Sequence, residues 1–273
     1  MIHHFVLFLA TTLMTFTACQ SPTEHRQTGQ SDTTRSVDTA AYRTTEYFQT
    51  SPYYQSRGDQ YDTAYFRASY PTSDDTLFNA LIMQSMAVKN RADLEQMGES
   101  FLADYDSYVE EAQQPELTHA WFQDIRGRVL LYTPTLLVIS KTLIEYTGGA
   151  HGNFAELYDN YDLQTGKPLT LSDIVPAERQ QEFIALAEAR FRQVEGLPAD
   201  APLTDRYFFD EGIFALPDNF AFDKEALAFQ YNPYEIKAYA EGVTQFHIPY
   251  DQLKDLLTDK AQKFIQDIKV THP

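Results

Sequence analysis

The chain has 273 residues, 43% of them hydrophobic and 14% aromatic, which is enough material for one large domain or two small ones. Lys and Arg number 21 against 39 Asp and Glu, leaving a formal charge of −18. Such a chain is repelled by nucleic acid and by anionic lipid headgroups, and its long-range field favours cationic partners. A single cysteine excludes an intrachain disulfide, so the fold must rest on its core.

Residues 1–18 contain no Asp, Glu, Lys or Arg and carry the apolar run Phe5 to Ala10, followed by Leu13, Met14 and Phe16. An apolar stretch ending in small residues reads as a secretory signal, and a membrane-spanning helix would need about 20 apolar residues. Phe16-Thr17-Ala18-Cys19 is similar to the lipobox of a bacterial lipoprotein, which implies cleavage before Cys19 and lipid attached to that residue. Residues 19–45 are rich in Ser, Thr, Gln and Asp and read as a flexible tether from the lipid to the folded part.

Aromatics then become dense, from Tyr47 and Phe48 through Tyr53 and Tyr54, and residues 61–70 fit a strand closed by Pro71. Asp74 or Asp75 is placed to cap a helix with Leu77, Leu81, Ile82 and Met86 on its apolar face. A second helix is expected from Asp93 to about Gln113, on a stripe of Leu94, Met97, Phe101, Leu102, Tyr105 and Tyr108, with Pro115 ending it. Trp121–Tyr132 and Leu136–Tyr146 are β-rich runs joined by Thr133-Pro134-Thr135, a hairpin whose second strand packs on both faces.

Gly148-Gly149-Ala150-His151-Gly152 breaks that strand, and Tyr158–Leu163 reads as another, turning at Gln164-Thr165-Gly166-Lys167. Ser172 or Asp173 is placed as a helix cap, and residues 177–195 are helical, with Phe183, Leu186, Ala187, Arg190 and Val194 at spacings of three and four. Residues 213–249 read as short antiparallel strands and Gln252–Lys269 as a closing amphipathic helix. Helices and strands come in blocks without βαβ alternation. The expected class is therefore α+β, an antiparallel sheet with packed amphipathic helices in two small subdomains, 46–147 and 148–273.

The chemistry motifs are sparse. The glycine turn is no phosphate loop, because no Gly-Lys-Ser/Thr comes after it. There is no His-Glu-x-x-His, no paired cysteine, no calcium loop and no Gly-x-Ser-x-Gly elbow, so neither a metal nor a cofactor nor a serine nucleophile is expected. His151 is open to two readings. It bonds backbone across its turn, or it acts as the base of a cell-wall hydrolase with a carboxylate such as Asp159 or Asp162. Tyr231, Tyr234, Tyr239 and Tyr250 crowd the C-terminal third, where tyrosine faces serve either core or ligand.

Two stretches carry a family likeness. Tyr146-Thr147-Gly148-Gly149-Ala150-His151, Tyr161–Lys167 and Leu169–Val175 resemble the opening of the RsiV-like domain of unknown function. Tyr234–Gly242 and Ile248–Lys254 resemble its ending, and Tyr70-Pro71 with Leu77–Ile82 is similar to the companion domain that precedes it in PdaC-type proteins. In that family the outer domain of an anti-sigma factor binds lysozyme, and in a peptidoglycan deacetylase the same domain pair precedes the catalytic one. The resemblance implies a non-catalytic, extracytoplasmic module in the cell envelope, with lysozyme or peptidoglycan fragments as partners. It marks Tyr146, Gly148, Gly149, His151, Asp162, Tyr234 and Tyr239 as motif or ligand-binding residues. Asp162 and Gly166 are expected to close a turn. Oligomeric state and the membrane that holds the anchor stay open.

Overall fold

Consecutive residues of one strand divide between two hydrophobic cores: Leu136 and Val138 enter one, Leu137 and Ile139 the other. Alternate side chains of a strand point to opposite faces, so the sheet that holds this strand is covered on both sides. The computed structural model describes residues 42–57, 60–112 and 119–272. The expected signal peptide, Cys19 and the tether as far as residue 41 lie outside the described residues.

Six strands form the larger sheet in chain order: β1 (Arg43–Arg57), β2 (Gln60–Thr72), β3 (Phe122–Tyr132), β4 (Leu136–Tyr146), β5 (Asn153–Asp162) and β6 (Lys167–Pro168). A second, three-stranded antiparallel sheet holds β7 (Phe220–Phe222), β8 (Ala226–Tyr231) and β9 (Thr244–Pro249). The helices are α1 (Thr76–Ser85), α2 (Arg91–Glu111), α3 (Leu171–Ile174), α4 (Gln180–Val194) and α5 (Asp259–Thr271). The mixed α+β class is the one expected. One pair, β2 with β3, runs parallel, because α1 and α2 carry the chain back across the sheet between them.

Helices α1 and α2 cover one face, burying Phe78, Leu81, Ile82, Leu94, Leu102 and Tyr105 against Phe66, Leu137 and Ile139. The other core joins Leu136 and Val138 to the small sheet and to α4 and α5, through Phe183, Phe191, Phe222, Phe229, Phe246 and Phe264. The division expected at 147/148 falls in the turn between β4 and β5, which pair from Leu136↔Asp162 to Glu145↔Asn153.

Several boundaries move for local reasons. β1 starts at Arg43, inside the stretch read as tether, because Thr44 and Thr45 pair with Pro71 and Tyr70 and the Thr45 hydroxyl bonds that of Thr72 at 2.7 Å. Asp75 caps α1, accepting from the N–H groups of Leu77 and Phe78, and this phase buries Phe78 while leaving Leu77 41% exposed. Thr170 rather than Ser172 or Asp173 caps α3, its N–H donating to Asp173 Oδ2 at 2.8 Å. The closing helix starts at Asp259, not Gln252. Thr258 caps it there by accepting from Ala261 N–H, and its hydroxyl is held on Asp173 O at 3.0 Å. Leu253, Leu256 and Leu257 are buried all the same, from the turns before the helix.

The two sheets meet through asparagine side chains. Among the described residues much of the outer edge of β5 lacks a strand partner, and buried backbone polar groups must be paired. Asn232 Oδ1 accepts from Glu156 N–H at 2.8 Å, and Asn219 Oδ1 accepts from Tyr158 N–H at 2.8 Å. Both amides also donate back to Glu156 O, at 3.1 and 2.8 Å. From the opposite side Asn160, 2% exposed, donates to Phe220 O at 2.7 Å and accepts from Phe222 N–H at 3.0 Å. Replacing Asn160 by Ala strands two buried backbone groups and is expected to destabilise the protein by about 2 kcal/mol. Equilibrium denaturation measures it, and an unchanged midpoint would refute this account of the seam.

Candidate functional site

The turn between β4 and β5 is built for close backbone packing. Gly148 and Gly149 sit at φ +104° and +93°, where a side chain is strained even though a Cβ would meet nothing within 4 Å. At Gly152 a Cβ would come within 2.7 Å of Glu145 O. Tyr146 donates its hydroxyl to Gly149 O at 3.1 Å, which ties the strand end to the turn. Its ring ends a ladder across four strands, Phe48–Tyr65–Phe122–Tyr146, with centroid separations of 5.9, 5.5 and 6.1 Å.

His151 projects from this turn onto two tyrosines that come after β8. Its ring stacks on Tyr239 at 4.1 Å and 15°, and Tyr234 lies 5.3 Å from Tyr239 and 6.3 Å from His151. The Tyr239 hydroxyl donates to Gly152 O at 2.9 Å, while His151 Nδ1 lies 2.9 Å from the same oxygen. Tyr234 Oη is 3.3 Å from His151 Nε2. Tyr234 is 56% exposed and holds φ +71°, a conformation costly for an aromatic residue. Thus His151, Tyr234 and Tyr239, distant in sequence, form one cluster, with His151 and Tyr234 exposed and Tyr239 half-buried, and Tyr146, Gly148 and Gly149 shape the turn beneath it. Tyr231 and Tyr250 are buried in the core instead.

Asp162 stands elsewhere. It is 2% exposed at the far end of β5, paired with Lys260 at 2.7 Å and accepting from Gln164 N–H at 2.8 Å. Burial would raise its carboxyl, but these bonds outweigh burial and hold it below the usual range. Its backbone oxygen accepts from Gly166 N–H at 2.8 Å, which is the turn-closing role expected of the pair. Asp159 accepts from the Ser85 hydroxyl at 2.6 Å. Measured along β5, at roughly 3.4 Å per residue, both carboxylates lie about 20 Å or more from the His151 end. The pairing of His151 with Asp159 or Asp162 that a hydrolase would use is therefore not formed. Among the described residues no cluster of His, Cys, Asp or Glu is arranged to hold a metal.

A second feature escaped sequence reasoning. A groove of about 630 Å³ runs between the middle of β5 and the segment 208–219, with Leu157, Phe208, Leu216 and Ile236 among its apolar lining. Among the described residues, every charged one that lines it is acidic: Asp159, Asp210, Asp218 and Glu235. Phe208 is 62% exposed. At its floor burial, with nearby Glu156 adding to it, pushes the Tyr158 hydroxyl up to about 12, so it stays a neutral hydrogen-bond partner of Gln230 and Gln245. The only trace in the sequence was the adjacency of aromatics and acids in Tyr207-Phe208-Phe209-Asp210 and in the loop Leu216-Pro217-Asp218-Asn219.

The groove wall is held from behind by Glu195. This carboxylate, 7% exposed, accepts from Lys237 at 2.8 Å, from the Thr244 hydroxyl at 2.6 Å and from the Tyr207 hydroxyl at 2.8 Å, with Arg206 at 3.5 Å. Burial alone would raise its carboxyl, but the bonds from Lys237, Thr244 and Tyr207 outweigh burial and hold it below its ordinary value.

A family model described as protein of unknown function (DUF3298) matches residues 172–251, a span that includes the groove segment, Tyr234 and Tyr239 but not the glycine turn. Among solved structures, a DUF3298 family member from Bacteroides fragilis is 23% identical with a TM-score of 0.66, covering 85% of this chain and 98% of its own. A DUF3298 family protein from Pseudomonas aeruginosa is 20% identical with a TM-score of 0.59, covering 82% and 97%. Both likenesses are of fold. No curated protein matches the chain.

Because the Glu195 carboxyl is depressed in the folded protein, its contribution to stability is present above the ordinary carboxylate range, near pH 4.3 in an unfolded chain. That contribution is lost as pH falls through the lower folded value. Melting temperature measured against pH should therefore drop more steeply below about pH 4.3 in the native protein than in Glu195→Gln, which is less stable at neutral pH but lacks this acid-sensitive component. Parallel acid limbs would contradict the assignment.

Proposed function

We propose that the protein is a non-catalytic recognition module of the bacterial envelope, and that its groove receives a basic protein surface. The carrying observation is the groove's lining: apolar walls, an exposed Phe208 and charged residues of one sign only. A lysine or arginine side chain suits such a site, its apolar stem lying on the aromatic wall and its head meeting carboxylates. The −18 net charge adds long-range attraction to the same class of partner. The likeness of the Tyr146–His151 and Tyr234–Gly242 segments to RsiV-like domains supports the reading and makes lysozyme the first partner to test. Cell-wall fragments are the second reading, favoured by the exposed His151–Tyr234–Tyr239 cluster.

Calorimetry with lysozyme and with soluble muropeptides decides between them. Lysozyme is expected to bind with an affinity that falls as salt rises, and Asp210→Asn with Asp218→Asn should weaken it by about tenfold or more. Binding that ignores both salt and these substitutions would place the contact elsewhere. No binding to either ligand would remove the reading.

The anchor belongs to the same proposal. Lipid on Cys19 would hold the module at the membrane, since stable anchoring takes more than one acyl chain. Among the described residues no helix is long and apolar enough to cross a membrane. On fractionation the native protein should sediment with membranes and Cys19→Ala should be released; a native protein recovered in the soluble fraction would rule the anchor out.

A further inference from the structure

We infer that the exposed cluster of His151, Tyr234 and Tyr239 is a binding subsite for a neutral pyranose ring, separate from the acidic groove. The inference rests on the recognition-module reading and names the class of its second ligand.

Three observations carry it. The first is presentation: Tyr234 is 56% exposed, His151 is exposed and Tyr239 is half-buried, and the ring stacks and side-chain hydrogen bonds of the three are with one another and with Gly152 O. Aromatic faces left in water at a tight stack are available to a ligand. The C–H groups on the flat face of a sugar ring carry slight positive charge and lie favourably over electron-rich rings. The second is polarity. Tyr234 Oη and His151 Nε2, 3.3 Å apart, stand beside those faces as a donor and acceptor pair suited to ring hydroxyls. Among the described residues, none of the hydrogen bonds, stacks or ion pairs of these three side chains involves a charged residue, which favours a neutral ligand over a cationic or anionic one.

The third is strain. Tyr234 holds φ +71°, where Gly or Asn would sit more easily, and its side chain buries too little to offset that cost through core packing. Glu235 N–H donates to Asn232 O at 3.2 Å, closing a turn around Pro233 and Tyr234 that favours positive φ at its second central position; the turn accounts for the conformation, but not for an exposed aromatic residue where glycine would serve. Beneath it the Tyr146–Gly149 and Tyr239–Gly152 bonds tie the β4–β5 turn to the end of β4 and to the chain after β8, which holds the platform before any ligand arrives.

The test uses N-acetylchitotetraose as probe, with calorimetry for affinity and the ring-proton NMR signals of His151 for location. The native protein is expected to bind in the millimolar range or tighter and to shift those signals. Tyr234→Gly should lose at least about tenfold in affinity while its melting temperature stays level or rises, because glycine relieves the strain. Tyr234→Asn, tolerated at positive φ, provides a second folded variant with the ring removed. No binding by the native protein, undiminished binding by both variants, or loss of binding only together with a lowered melting temperature would each overturn the inference. Lysozyme is titrated in parallel: a protein that binds lysozyme but not the sugar refutes the subsite alone, and one that binds the sugar but not lysozyme refutes the groove reading alone.

Discussion

The molecule depends on how the unpaired edge of β5 is satisfied. A sheet edge facing a core cannot be left with bare N–H and C=O groups, and among the described residues no further strand pairs along most of β5. Asn219, Asn232 and Asn160 solve this with side-chain amides, which offer donor and acceptor together and so mimic a peptide group. Because Asn219 lies just before β7 and Asn232 just after β8, the same bonds fix the position of the small sheet. Everything proposed as a contact surface depends on that placement. The groove is the space left between β5 and the segment leading into β7, and Tyr234 and Tyr239 reach His151 because the chain leaving β8 passes the β4–β5 turn.

Charge acts on two scales in this fold. Buried carboxylates are matched one by one: Asp124 with Arg126 at 2.7 Å, Glu195 with Lys237 at 2.8 Å, Asp162 with Lys260 at 2.7 Å. Such pairs define geometry more than they add stability, since desolvation opposes their attraction. The remaining acids among the described residues lie mostly on the surface, and at the groove they are not interleaved with cations. The buried pairs hold the walls in place, and the unmatched acids give the groove its sign. The aromatic cluster lies outside both arrangements.

The family match and the fold likeness differ in extent. The DUF3298 model covers residues 172–251, whereas the two solved relatives share the fold over 85% and 82% of the chain. The strands β3 to β5, which precede the matched span, supply Leu136, Val138 and Asn160 to its core and seam. The matched segment is thus not a self-contained layer. It needs one face of the larger sheet as its floor.

Much of this was legible in the sequence. Period-3.6 stripes gave α1, α2 and α4, the Thr133-Pro134-Thr135 break gave the β3–β4 hairpin, and the apolar run after it gave a strand that is buried on both faces over its first half, Leu136 to Ser140, and half-buried beyond. These are local signals, set by backbone geometry and by which side chains must leave water. The glycine turn was legible for the same reason, since adjacent glycines free the backbone whatever surrounds them. The grouping of His151 with Tyr234 and Tyr239 across some eighty residues, the occupation of Asp159 by Ser85, the groove beside Phe208 and the parallel pairing of β2 with β3 were decided by tertiary structure. Each depends on which distant segments satisfy one another's polar edges and apolar faces, and no local periodicity records that choice.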